Sequence, residues 1–191
     1  MKKLMIAAAI VCAAVASQAA TFNWAQGAGT ILDGSNKGSS TPVYNGTAYL
    51  INGSLAGHTQ QDFLTAVLGD SFDIANFAIK KGNGDLVTAS VSGGLIAKTS
   101  NFEYDVAASF SAYYVILEDD KVFISNTQAS GWQESSAQTI NFNTSPKKNS
   151  ATTLDTSTFS TVNSWYAVPE PTSGLLLLLG VAGLALRRRR A

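Results

Sequence analysis

The sequence is poor in the residues that most often carry chemistry. It has one cysteine and one histidine in 191 residues. Cys12 lies inside an N-terminal apolar run, so the chain beyond that run has no thiol to cross-link, oxidise or hold a metal. His58 stands alone, which leaves no histidine pair for zinc or a redox metal. Basic charge is also scarce where a folded domain would lie. Lys2, Lys3 and Arg187 to Arg190 sit at the two ends, so residues 20–168 keep seven lysines against twelve carboxylates. A net charge of about −5 offers no electrostatic footprint for nucleic acid and weakly opposes anionic lipid. No repeat of fixed period is present, which argues against a solenoid or propeller. No cofactor-binding motif is found.

What the sequence does have is concentrated at its ends. Met1-Lys2-Lys3 followed by the apolar stretch 4–15 and Ser17-Gln18-Ala19 reads as a secretory signal peptide. Signal peptidase is expected to cut after Ala19, or alternatively after Ala20. At the other end, Pro169-Glu170-Pro171 forms an extended triplet, because each proline fixes φ and disfavours helix in the residue before it. Residues 172–186 carry no charge. As a helix they would span roughly 22 Å at 1.5 Å per residue, short of a hydrocarbon core of about 30 Å. Arg187, Arg188, Arg189 and Arg190 follow at once. Their stems can snorkel to the headgroups, and their charge keeps that end cytoplasmic, with everything before Pro169 outside.

This order of triplet, apolar run and arginine cluster, over residues 168–191, resembles the PEP-CTERM sorting signal of bacterial surface proteins. The resemblance implies a transient single-pass membrane helix and recognition by an exosortase, a protease-like membrane enzyme cutting near Pro169-Glu170-Pro171. It also implies an association with the cell surface and exopolysaccharide. A permanent single-span anchor is the alternative.

Between the two signals the patterning is mostly β. Thr21 to Ala25 alternates as a strand, residues 26–41 form a polar loop, and Val43 to Ile51 forms a second strand around Asn45-Gly46. Thr59-Gln60-Gln61-Asp62 is a capping-box pattern, with Thr59 as N-cap, ahead of Phe63, Leu64, Val67 and Leu68 and a closing Gly69. Phe72 to Lys80 and Leu86 to Ser92 read as strands across a turn at residues 81–85, and Gly93-Gly94 breaks the second one. Ala112 to Leu117 and Val122 to Ser125 read as a hairpin of central strands around Glu118-Asp119-Asp120-Lys121. Ile140 to Phe142, after Trp132, marks a late strand. Residues 144–167 are Ser/Thr-rich and read as a linker, with a short strand at Thr158 to Val162.

The expected architecture is therefore mainly β: signal peptide 1–19, a β-rich domain at 20–143, linker 144–167 and sorting signal 168–191. The domain is expected to be one antiparallel β-sandwich or jelly-roll-like unit with one short helix, or alternatively α+β.

Its candidate sites are thin. Gly69-Asp70-Ser71 is similar to the start of a lipase-esterase nucleophile block, but His58 precedes the serine and no later Asp-x-x-His follows. Residues 33–38 imitate a calcium loop with Lys37 where an oxygen ligand is needed and Tyr44 in place of the bidentate Glu. Gly82-Asn83-Gly84-Asp85 is a single, misspaced unit of a calcium β-roll. Glu118, Asp119 and Asp120 are the densest carboxylates, but glycosidase chemistry needs a partner across a cleft, such as Glu103 or Glu134. Trp24, Trp132 and Trp165 are possible sugar-stacking platforms, or core residues. The reading is a non-enzymatic exported surface or matrix protein, with carbohydrate binding as the alternative and glycan hydrolysis below it.

Overall fold

A computed structural model describes residues 19–32, 43–69, 71–105, 109–131, 138–143, 159 and 163–168. Ten strands occur among them: β1 (Ala19–Ala28), β2 (Gly46–Asn52), β3 (Thr88–Ser92), β4 (Leu95–Ile96), β5 (Phe102–Asp105), β6 (Ser109–Leu117), β7 (Lys121–Ile124), β8 (Gln128–Gly131), β9 (Gln138–Asn143) and β10 (Ser164–Ala167). One α-helix, α1 (Gln60–Val67), follows β2. The strands form two sheets. The smaller has the order β5-β1-β9; the larger runs β10-β7-β6-β2-β3-β4, with β8 also paired to β6.

The period-2 alternation of the strands sorts their side chains between two cores. Toward the small sheet, the large sheet sends Ala48, Leu50, Ala89, Val91, Tyr114, Ile116, Phe123 and Trp165 to meet Phe22, Trp24, Ile140 and Phe142. Toward the opposite face it sends Ile51, Tyr113, Val115, Val122, Ile124 and Tyr166, and there Phe63, Leu64 and Val67 of α1 cover it. The layers are thus small sheet, large sheet and helix. β6 is buried on both faces: Ala112 to Ile116 are all 0% exposed.

Local chemistry explains where the elements start and stop. The Thr59 hydroxyl accepts the Asp62 N–H at 3.1 Å, and the Asp62 carboxylate accepts the Thr59 N–H at 3.2 Å, so two orphan donors of α1 are satisfied reciprocally. Ser92 pairs with Leu95 across Gly93-Gly94, whose φ values of 58° and 73° suit the two-residue turn that matches strand twist. A side chain at Gly94 would strike Ile31, whose N–H donates to the Gly94 carbonyl at 2.8 Å.

The mainly β, antiparallel character with one short helix holds among the described residues, as open layers. Several expectations change in detail. β1 pairs with β9 in parallel, not antiparallel, from Phe22 with Gln138 onward. Phe72 to Lys80 is not a strand: Asp73 caps a 3-10 turn at Ile74–Asn76, its carboxylate accepting the Ala75 N–H at 2.9 Å. The chain regains only isolated bridges at Ala78 and Lys80. Gly69 follows the helix as expected but keeps φ out of the left-handed region, and its N–H closes a tight bond to the Ala66 carbonyl at 2.9 Å. The stretch expected to be a linker ends in β10, which pairs with β7 and carries Trp165, 2% exposed. The domain therefore runs on to Val168. Strands β5 and β8 are further elements that local patterning did not suggest. Residues 1–18, 33–42, 70, 106–108, 132–137, 144–158, 160–162 and 169–191 lie outside the described residues, and with them nearly all of the expected signal peptide, the candidate calcium loop, Asp70, Trp132, all but Phe159 of the short strand expected at Thr158 to Val162, and the C-terminal apolar run. Among the described residues no helix is long and apolar enough to cross a membrane.

Candidate functional site

The candidate residues named from the sequence are mostly absorbed into structure. His58 sits one residue before the helix cap. Its Nε2 lies 2.8 Å from the Asn76 carbonyl oxygen and its Nδ1 3.2 Å from that of Ala56, with the ring against Phe77 at 5.1 Å. It ties the loop after β2 to the 3-10 turn. Glu118 is held by Lys121 in an ion pair of 2.8 Å, and the Lys121 ammonium lies 5.3 Å from the Trp165 ring centre. The acidic hairpin tip is thus braced by its own lysine. Glu103 sits on β5 of the other sheet, and Glu134 lies outside the described residues. No group of three His, Cys, Asp or Glu side chains gathers around a metal-sized point among the described residues. Asn83 and Asp85 close their own turn, with the Asn83 amide donating to the Asp85 carboxylate at 2.7 Å.

Trp24 and Trp165 are core residues, 0% and 2% exposed, which removes them as sugar platforms. The Trp165 indole N–H donates to the Leu32 carbonyl at 2.8 Å, whereas the buried Trp24 indole N–H has no acceptor among the described residues. Burial also sets the tyrosines. It pushes the Tyr113 phenol far above its usual range, with Asp62 adding to the effect, and the hydroxyl donates to the His58 carbonyl at 2.7 Å. Tyr44 is raised by burial and then by the Glu118 charge.

One concavity was not suggested by the sequence. A groove of about 290 Å³ opens where β3 faces the segment leading into β5. Its lining includes the apolar Val87, Ala89 and Phe102, the hydroxyl-bearing Thr88, Ser90, Thr99 and Ser100, and, as the charged residues among those described, Lys81 and Lys98. Neither lysine is in an ion pair among the described residues. The two lie 17 positions apart in the chain, on either side of the turn-back at Gly93-Gly94, and line the same groove, so no local motif announces them.

The two expected processing sites border the described fold directly. Ala19 and Ala20 open β1, paired with Asp105 and Tyr104, so a cut after Ala19 would leave Ala20 as the first strand residue. At the other end the Val168 N–H donates to the Asp120 carbonyl at 2.8 Å, and Pro169 follows immediately. Pro169, Glu170, Pro171 and Arg187 to Arg190 themselves lie outside the described residues.

Residues 167–190 match the family model of the PEP-CTERM protein-sorting motif. The match supports export and sorting to the cell surface through this C-terminal signal, with an exosortase-like enzyme as processing partner. No curated protein and no solved structure matches the chain.

Proposed function

We propose that this chain is a non-enzymatic surface or matrix protein. It is exported by its N-terminal signal, held for a time by its C-terminal apolar run, and released when the tail is cut near Pro169-Glu170-Pro171. What remains is a two-sheet β-sandwich domain. The observation that carries this reading is the sorting motif at residues 167–190, abutting the last strand of the domain. The test is the intact mass of the protein recovered from the outer face of the cell. The expected species begins at Ala20 and lacks the apolar run and the arginines. Replacing Arg187 to Arg190 with glutamine should leave precursor uncut; a full-length tail on the mature wild-type protein would reduce the chain to a permanently anchored one.

A second reading, carbohydrate binding, is favoured by the groove. Two lysines in no ion pair among the described residues, beside four hydroxyl-bearing residues, suit an acidic, hydroxyl-rich chain, and they do so on a domain that is otherwise acidic. The full chain in detergent should be retained by a uronate polymer and not by neutral dextran. The double variant K81Q/K98Q should lose that retention, and K81R/K98R should keep it. Equal retention on dextran, or by the glutamine variant, would remove this reading.

A further inference from the structure

The last strand and the sorting signal compete for the same main chain. β10 pairs with β7 over four positions, from Ser164 with Ile124 to Ala167 with Lys121, and the Val168 N–H extends the ladder to Asp120. Trp165 and Tyr166 anchor the strand on opposite faces of the sheet, 2% and 4% exposed. The fold therefore holds the chain up to the residue before Pro169.

That grip limits the reach of the tail. Three residues, Pro169 to Pro171, separate Val168 from the apolar run that begins at Thr172. Fully extended they span about 10 Å. One helix with its side chains is about 10 Å thick. An enzyme that must wrap the triplet from both sides has no room between a domain docked through Val168 and the membrane surface. Part of the main chain is spoken for as well. A protease-like cleft takes its peptide as an added strand, through N–H and C=O groups on both sides of the bond to be cut. Pro169 and Pro171 have no N–H to give. Of the groups just upstream, those of Tyr166 and Val168 are turned toward β7 and those of Ala167 away from it, so a cleft that grips both edges of the segment needs groups the ladder already holds.

We infer that residues 164–168 serve two exclusive purposes: they are β10 of the folded domain, and they are the upstream half of the segment the processing enzyme binds. Cutting occurs only on chains whose β10 is off the sheet. Freeing these five residues lengthens the tether by roughly 17 Å and uncovers the main-chain groups an added strand needs. The cut itself adds water across one peptide bond, leaving a carboxylate on the domain side and an amine on the tail. After it, the freed end returns to β7, and the released protein is sealed by the strand that was read. The inference rests on the sorting signal being processed, as proposed above.

The exported chain has no cysteine, so a single engineered disulfide tests this cleanly. Because Val168 and Asp120 form a hydrogen-bonded pair, the adjacent Ala167–Lys121 pair is a non-hydrogen-bonded one, with Cα atoms about 4.5 Å apart, within disulfide reach. The full-length K121C/A167C chain in membranes holding its processing enzyme should stay uncut when oxidised and be cut when reduced. A flexible Gly/Ser spacer inserted between Val168 and Pro169 should restore cutting of the oxidised form. Cutting of the oxidised chain at the wild-type rate overturns the inference, as does a reduced chain that stays uncut while each single cysteine variant is cut. A wild-type chain that is never cut in the same membranes defeats the sorting reading first, and this inference with it.

Discussion

The two faces of the large sheet are closed in different ways. Toward the small sheet the aromatic rings interlock across long stretches of chain. Trp24 meets Tyr114 at 5.6 Å and Phe142 at 5.9 Å, and Tyr114 reaches Trp165 through Phe123. Toward α1 the cluster is nearly local. Phe63 lies against Phe72 at 5.5 Å and Phe77 at 5.3 Å, all within 15 positions of one another, and of the hairpin strands Tyr113 brings a ring to Phe63 while Val115, Val122 and Ile124 bring aliphatic side chains to the cluster. One face is a mutual agreement among distant strands. The other is a lid that the chain folds over its own hairpin. A void in the first has rigid walls on both sides, while a short helix can settle into a void in the second.

The sharpest test of that contrast is a pair of truncations. Trp24→Ala should cost about 4–5 kcal/mol and Phe63→Ala about 3 kcal/mol, since the penalty depends on how far the surroundings collapse. Urea titrations of both variants give the ordering; equal losses would break the contrast. A finer test lies within the sheet-facing core. Trp165→Phe deletes a donor and leaves the Leu32 carbonyl without it, an expected loss larger by about 1 kcal/mol than that of Trp24→Phe, whose indole N–H has no acceptor among the described residues to abandon. Thermal melts of the two phenylalanine variants measure the difference. Smallest is Thr59→Ala, which removes the capping box and should cost about 1 kcal/mol. Hydrogen exchange should show that loss confined to the α1 amides.

The same contrast explains what could be read from the sequence. The lid was legible. Its cap, its apolar spacing and its end are local chemistry, and Thr59, Phe63, Leu64 and Val67 do what their positions suggest. The β6–β7 hairpin was legible for the same reason, with Leu117 opposite Val122 around the acidic turn. The long-range closure was not. β10 is four residues beyond a Ser/Thr-rich stretch, and its value lies in where Trp165 lands, not in any pattern around it. Phe72 to Lys80 misled because spaced aromatic and branched residues suit a strand, while the Asp73 cap diverts the backbone into a 3-10 turn. Of the candidate site, the sorting triplet and arginines were visible as composition. The groove was not, because Lys81 and Lys98 become neighbours only through folding.

The parallel ladder between β1 and β9 has a consequence for how the chain travels. Phe22, near the expected start of the mature chain, aligns with Gln138, 116 positions later. A polypeptide emerging from a translocation channel N-terminus first cannot complete its small sheet until nearly the whole domain is through. Contacts of such high sequence separation also form slowly. On the export route proposed above, the chain would stay threadable during passage and lock only on the far side.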